Sequence, residues 1–349
     1  MLKKNTVFVI GAGASSEFGL PVGSELAMRI NKKMDVLFDD FGQRIISGDA
    51  DLFFNVTRTH PSESSQYQRA AWQIRDGIVL AHSIDDFLDA HQHDQRVVEY
   101  GKAAIAKCIL ESERESTLFF DPTAHRLKPG TATIDFRKCG DTWLVGLMKL
   151  LVRGTLHPDR AKIFERCTFV VFNYDRCVEF FFLHALQRFY NISEQEAIEI
   201  VSKAKIFHPY GLAGELGTAI TSRGMTPFGG RGVDCYEIGR TMLKTYTESV
   251  ESEKIKEAVR GCEQVVFLGF AYHDQNMRLL AEDSSLAHKQ YFGTARKMSR
   301  SDIAVVEHQI DSWEHREPMA AVIARPNVNI EIDSSLSAAE LFYHYSKSL

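Results

Sequence analysis

Uninterrupted apolar runs recur along this chain and predict buried strands. They lie at residues 6–10, 167–172 and 264–268, and a shorter strand is predicted at 205–207. A strand of a parallel sheet has this continuous pattern because helices cover both of its faces. Between the runs, apolar residues recur at helical spacing, as in the predicted helix 22–46. This alternation predicts an α/β fold, a Rossmann-like doubly wound parallel sheet.

The remaining periodic stretches and turn signals complete the predicted order of elements. A polar loop is expected at 58–68, and Ser83 and Ser193 are expected to cap helices. Further helices are predicted at 69–113 (two or three helices), 141–153, 176–190, 248–261 and 336–347, and late strands at 288–294, 320–324 and 328–332.

The length of the chain bounds its domain organisation. With 349 residues it is long for one compact domain and short for three. We expect a single domain in which a Rossmann-like core, 1–30 and 161–349, holds a large helical insertion or subdomain, 31–160, without obvious chemistry of its own. The glycine-rich segment 209–233 is expected to be a functional loop.

Composition narrows the class of protein. Apolar residues make up 44% and charged residues 25%, as in ordinary globular proteins. The net charge of −5, without a long basic block, argues against strong nonspecific nucleic-acid binding. No stretch approaches the roughly 20 apolar residues of a membrane span. We therefore expect a cytoplasmic protein that binds neither nucleic acid nor membrane.

Cysteine and histidine positions do not predict a metal site. The six cysteines form no Cys-x-x-Cys pair, which indicates free thiols in a reducing compartment and no zinc ribbon. His82, His91 and His93 lie close together along the chain without a closed ligand set, and we interpret them as part of a solvated face.

A glycine-rich turn, Gly11-Ala12-Gly13-Ala14-Ser15, follows the first apolar run. The order of strand, glycine turn and helix start presents backbone N–H groups and the positive end of a helix dipole to a pyrophosphate. A Cβ at Gly11 or Gly13 would keep the backbone away from the phosphates. We expect Ser15 to donate to a phosphate beside the backbone of Ala12 and Gly13; its alternative role is a helix N-cap.

Polar patches also follow the other predicted strands. Asn-Tyr-Asp occupies 173–175, His-Pro-Tyr-Gly occupies 208–211, and Gly-Phe-Ala-Tyr-His-Asp-Gln-Asn occupies 269–276. In an open α/β sheet, ligands bind outside the carboxyl ends of the strands, where all of these motifs fall. Their coincidence, more than any single motif, predicts a nucleotide site at that edge.

The motif order resembles that of sirtuin-like domains. It comprises the Gly-Ala-Gly-x-Ser turn, the Gly-x-Pro of Gly19 and Pro21, the Asn-x-Asp of 173–175, the strand-end His208 with a nearby glycine, and the late-strand Gly269. The resemblance covers about residues 5–25 and 165–300. Two departures narrow it, because the zinc-ribbon cysteines of the protein deacylases are missing and the histidine motif is His-Pro-Tyr-Gly instead of a direct His-Gly pair. Both features look like the divergent sirtuin-like NAD hydrolases of bacterial antiphage defence.

This resemblance implies a substrate, products and partners. NAD is the implied substrate, nicotinamide and ADP-ribose are the implied products, and no metal is required. Enzymes of this type deplete cellular NAD after infection is sensed. We expect a homo-oligomer, because an enzyme that destroys NAD must be held inactive until it is triggered. The resemblance also implies a separate activator, such as a HerA-type hexameric ATPase.

Two residues are the expected catalytic pair. His208, with an ordinary pKa of about 6.5, suits a general base that activates a water or a ribose hydroxyl as nicotinamide leaves. Asn173 offers an acceptor and a donor to orient that water and the ribose. The alternatives are a structural histidine and an asparagine that caps the helix 176–190.

The other site residues are expected to bind the dinucleotide. Asp175 favours the dipole of the following helix, and by resemblance it also holds the site together. Gly269 matches the glycine that passes beneath the adenosine half, and Pro21 is expected to shape the pocket. Asp274 and Asn276 are expected to contact the adenine ribose, or else to cap the helix after Tyr272.

Other functions stay open at this point. A dinucleotide-dependent oxidoreductase would use the same glycine turn, but position 16 is serine where a third glycine belongs, and no clear acidic residue ends a second strand about 20 residues later. A non-catalytic regulatory subunit would bind NAD or ADP-ribose without turnover. A protein deacylase ranks below both, because the zinc cysteines are missing.

Overall fold

The computed structural model describes residues 2–121, 133–217, 225–248, 252–281, 289–314 and 329–349. Its strands are β1 Thr6–Ile10, β2 Leu37–Phe38, β3 Ile45–Ser47, β4 Cys167–Val171, β5 Lys205–Phe207, β6 Gln264–Leu268, β7 Gln290–Thr294 and β8 Asn329–Asp333. Its α-helices are α1 Ala12–Ser15, α2 Gly23–Lys33, α3 Ala50–Thr57, α4 Ser64–Gly77, α5 Ile84–Ala90, α6 Gln95–Glu115, α7 Trp143–Val152, α8 Cys177–Tyr190, α9 Glu194–Val201, α10 Cys235–Met242, α11 Ser252–Arg260, α12 Asp274–Leu280, α13 Arg300–Glu314 and α14 Ala338–His344.

Six of the strands form one parallel sheet in the order β5-β4-β1-β6-β7-β8. Counted along the chain, these strands run 3-2-1-4-5-6, the order of the doubly wound dinucleotide-binding sheet. Phe8 of β1 pairs with Phe169 of β4 on one side and with Val266 of β6 on the other. The topological switch point therefore lies at the carboxyl end of β1. The predicted α/β class and parallel sheet are confirmed.

The predicted strands correspond closely to those of the sheet. The early runs form β1, β4, β5 and β6, and the predicted late strands 288–294 and 328–332 correspond to β7 and β8. The predicted strand 320–324 lies outside the described residues. Continuous hydrophobicity was sufficient here because most positions of β1, β4 and β6 are buried.

Helices cover both faces of the sheet, and alternate residues of β1 point into two different cores. Val7 and Val9 pack in one core with residues of α2 to α6, whereas Phe8 and Ile10 pack in the other with residues of α7, α8 and α14. The helices of residues 31–160 thus share their cores with the sheet, and the structure does not confirm them as a separate insertion.

The predicted helix 22–46 is wrong beyond Lys33. Residues 37–47 instead form a short antiparallel hairpin of β2 and β3. The Asp39 carboxylate holds its turn by accepting hydrogen bonds from two backbone N–H groups. Phe41, an apolar residue within the predicted helix, is 85% exposed. Local turn chemistry therefore outweighs the helical period.

The other predicted helices are confirmed, with shifts of a few residues at their ends. The predicted loop 58–68 is only partly correct, since α4 begins at Ser64 and Tyr67 supplies part of its buried face. The hydroxyl groups of Ser83 and Ser193 cap α5 and α9, as predicted. Among the described helices, none is long and apolar enough to cross a membrane.

Candidate functional site

The glycine turn after β1 packs directly against the backbone that follows β6. The Gly13 N–H donates to the Gly269 carbonyl at 2.9 Å. A Cβ at Gly11 would lie 2.5 Å from the Gly269 oxygen, and one at Gly13 would lie 2.9 Å from the Gly269 Cα. Gly269 itself has φ +53°. The structure therefore requires these glycines for contact between two loops at the switch point, a role that sequence reasoning did not find.

We expect Gly269→Ala to destabilise the fold by about 1–3 kcal/mol, because the added Cβ must displace backbone. That Cβ would lie 2.0 Å from the Ala14 nitrogen, in a backbone conformation that side chains rarely adopt. Gly23→Ala is the matched control, since nothing lies within 4 Å of its added Cβ. Urea unfolding measures both variants, and equal midpoints would contradict the packing argument.

Backbone donors of the turn are already partly used within the protein. Besides the Gly13 N–H, the Ala14 N–H donates to the Gly11 carbonyl at 3.0 Å. Ala12 is half-buried, and Pro21 is buried just ahead of α2. The predicted pyrophosphate cradle stays a prediction, and a phosphate that used the Gly13 N–H would have to displace an existing hydrogen bond.

Asn173 joins the turn after β1 to the end of β4. Its side-chain amide donates to the Ser15 hydroxyl oxygen at 2.9 Å, and both residues are buried. Neither side chain caps a helix. The first N–H of α8, that of Cys177, instead donates to the Asp175 carboxylate at 3.1 Å. The buried Asp175 thus has the helix-start role that sequence reasoning gave as one of its two possibilities.

His208 joins the same cluster from the end of β5. Its Nδ1 lies 3.4 Å from the Asn173 carbonyl oxygen, and its Nε2 lies 2.7 Å from Oε1 of Glu179 in the first turn of α8. Residues from three adjacent strand ends therefore meet: Ser15 after β1, Asn173 after β4 and His208 after β5. The sheet order explains this convergence, because these three strands are neighbours.

The His208–Glu179 pair sets the charge of this cluster. Burial opposes protonation of His208, but the facing carboxylate outweighs burial and raises the pKa of the imidazole above its ordinary value. Burial likewise favours a neutral Glu179, yet His208 holds the pKa of the carboxyl below its ordinary value. Each partner thus favours the charged form of the other.

Sequence reasoning missed Glu179. The signal available was its position in the first turn of the predicted helix 176–190, just after the Asn-Tyr-Asp motif. That position places Glu179 near the Asn-Tyr-Asp motif, but the sequence alone does not show that β5 delivers a histidine to it.

The motif after β6 contacts the His-Pro-Tyr-Gly motif through Tyr210 and not through His208. The Tyr210 hydroxyl donates to the side-chain oxygen of the buried Asn276. Asp274 is exposed and lines a cavity of about 460 Å³ together with His273 and Arg278. Neither Asp274 nor Asn276 caps α12 through its side chain. Their proposed contact with an adenine ribose stays a prediction.

Helix α5 contributes carboxylates to the same edge, although no chemistry was expected between residues 31 and 160. Asp85 accepts a hydrogen bond from the Tyr174 hydroxyl, and Asp86 accepts one from the Gln275 side chain at 2.9 Å. Burial raises the pKa of Asp85 to about 6, against the Tyr174 hydrogen bond, which lowers it. The helix thus bridges the motifs that follow β4 and β6.

A buried ion pair anchors the glycine-rich segment beside this site. Glu113 of α6 and Arg176, just ahead of α8, are 0% and 1% exposed and bonded to each other. Glu113 also accepts a hydrogen bond from the Gly229 N–H at 2.9 Å. The Arg176 guanidinium donates to three carbonyl oxygens of the segment, those of Gly214, Thr226 and Pro227.

A second cavity lies away from the cluster of Ser15, Asn173 and His208. It has a volume of about 540 Å³ and lies between α3, α6 and residues 230–235. Within the described ranges, no group of three or more histidine, cysteine or acidic side chains is arranged to hold a metal ion. All six cysteines lie in the described part of the chain, where they are buried and form no disulfide.

Comparisons of the chain with protein-family models, with curated proteins and with solved structures found no match. The motifs and the geometry of the cluster at the carboxyl edge are therefore the features that bear on function.

Proposed function

We propose that this protein is an NAD hydrolase of the sirtuin-like type, which releases nicotinamide and ADP-ribose. The observation that carries the proposal is the contact between Ser15, Asn173 and His208. These residues come from three motifs far apart in the chain, and they meet at the carboxyl edge, where doubly wound sheets bind nucleotides.

The proposed reaction breaks the bond between C1′ of the ribose and the nicotinamide nitrogen. The bonding electron pair goes to the pyridinium ring, so nicotinamide leaves as a neutral molecule and needs no strong acid. A water oxygen adds to C1′, and its proton goes to His208. Asn173 orients the ribose and the water. A well-placed base of this kind contributes about 10²–10⁴-fold to a rate.

The buried state of the cluster constrains how NAD would bind. Asn173 and Ser15 are bonded to each other and shielded from solvent. In the proposed complex, the ribose and phosphate groups replace this internal hydrogen bond. A site closed in this way fits an enzyme that is held inactive until an activator opens it, and we propose a homo-oligomer with a separate activating ATPase of the HerA type.

A regulatory NAD-binding or ADP-ribose-binding role is the second candidate. The hydrogen bonds of the site favour this role, since both ring nitrogens of His208 and the Asn173 amide already have partners within the protein. A dinucleotide-dependent oxidoreductase is less favoured, because β4, the strand next to β1, is followed by Asn173 where such enzymes place an acid for the ribose.

Nicotinamide release from NAD by the purified chain, measured by chromatography beside calorimetric binding of ADP-ribose, tests both candidates. Turnover supports the hydrolase. Binding without turnover, also in the presence of a co-expressed activator, supports the regulatory role. The absence of both contradicts both proposals. The biological role that we propose is NAD depletion in the bacterial cytoplasm during antiphage defence.

A further inference from the structure

We propose that Glu179 is the positioning residue for His208: its carboxylate accepts a hydrogen bond from Nε2, so Nδ1, which faces the Asn173 carbonyl oxygen, is the nitrogen that exchanges the proton. This inference rests on the proposed hydrolase function. It adds to the site a residue that neither the motifs nor the resemblance identifies.

The geometry of the pair fixes the orientation of the imidazole ring. The side chains of His208 and Glu179 are 7% and 20% exposed, and they meet at 2.7 Å. Since Nε2 faces the carboxylate, it carries a hydrogen in every protonation state of the pair. Nδ1, 3.4 Å from the Asn173 carbonyl oxygen, is therefore the nitrogen that gains and loses the proton.

The unpartnered oxygen of Glu179 indicates that its charge matters beyond the hydrogen bond. Within the described part of the chain, Oε2 is buried and has no hydrogen-bond partner. A buried carboxylate oxygen without a partner is destabilising. A glutamine would make the same bond to His208 with less desolvation, so the negative charge is retained against a structural cost.

The charged groups around the ring act in a consistent direction. Glu179 faces it from α8, and Asp175, in the turn after β4, adds further negative charge. Arg176, which is ion-paired with Glu113, also lowers the pKa of Glu179 and helps to keep that carboxyl ionised. In the proposed reaction, the attacking water replaces the Asn173 carbonyl oxygen at Nδ1 and gives its proton to that nitrogen, and Glu179 stabilises the resulting imidazolium on its opposite side.

Glu179→Gln separates the charge from the hydrogen bond, because the amide oxygen can still accept from Nε2. We expect the titration midpoint of His208 to fall by about 1 pH unit or more in this variant. NMR of ¹³C-labelled histidine measures that midpoint, and His208→Gln assigns its signal among the 13 histidines. Glu199→Gln, which removes an exposed carboxylate on α9, is the matched control and should leave the midpoint unchanged.

The pH dependence of NAD cleavage provides the functional readout. The base must be deprotonated, so kcat/KM falls as pH drops through the pKa of His208. Removal of the Glu179 charge lowers that pKa, and the acidic limb of the profile should therefore move to lower pH by the same amount as the NMR midpoint.

The outcomes separate this inference from the proposed function. An unmoved His208 midpoint in Glu179→Gln, or a variant that only loses stability, overturns the positioning role. An unmoved acidic limb in an active enzyme overturns it as well. If the wild-type protein does not cleave NAD, the hydrolase proposal fails, whereas the titration still decides whether Glu179 controls the protonation of His208.

Discussion

His208→Gln is expected to lower kcat for nicotinamide release by about 10²–10⁴-fold, the contribution of a well-placed general base. Glutamine retains a polar side chain near Glu179 but cannot take up the proton of the attacking water.

Asn173→Ala is expected to lower kcat by a similar factor, because the amide that orients the ribose and the water is lost. Initial rates of nicotinamide release at several NAD concentrations measure both effects.

His93→Gln provides the control for these variants. His93 is exposed and lies outside the cluster, so this substitution should leave turnover unchanged. Circular dichroism and thermal unfolding show whether each variant retains the fold. Folded His208→Gln and Asn173→Ala proteins with wild-type turnover would place the reaction elsewhere on the molecule.

Glu113→Gln is expected to lower the free energy of unfolding by about 3–5 kcal/mol, because it leaves the Arg176 guanidinium without its buried counter-charge. The loss should also loosen the glycine-rich segment, since Glu113 holds the Gly229 N–H directly and Arg176 holds three carbonyl groups nearby. Urea unfolding monitored by circular dichroism measures the change.

Glu115→Gln is the matched control for this second prediction. It lies on the same helix two residues away, and its ion pair with Arg29 is 63% exposed on the Glu115 side. An exposed pair of this kind contributes about 0–1 kcal/mol. If the two variants lost equal stability, the buried pair would not be the anchor that the contacts indicate.

Much of the fold could be predicted from the sequence because its strands are buried on both faces. The continuous runs of β1, β4 and β6 carry an unambiguous signal. The hairpin at 37–47 was missed because its apolar residues fit a helical period by chance, while the turn around Asp39 decides the local structure. Periodicity measures burial only where the segment is actually packed.

The candidate site was predictable at its centre and not at its edges. Asn173 and His208 follow strands, so the topology brings them together without further information. Glu179 and Asp85 lie on helices, and their partners depend on how those helices pack against the sheet. The packing role of Gly11 was also hidden in the sequence, because Gly269, which it contacts, lies more than 250 positions further along the chain.

Hydrogen–deuterium exchange with and without ADP-ribose locates the nucleotide-binding surface, which we propose to be the carboxyl edge of the sheet. We predict slower exchange in peptides that cover residues 11–15, 172–175 and 206–211. Slower exchange confined to the cavity beside residues 230–235, or no change anywhere at saturating ADP-ribose, would contradict the account.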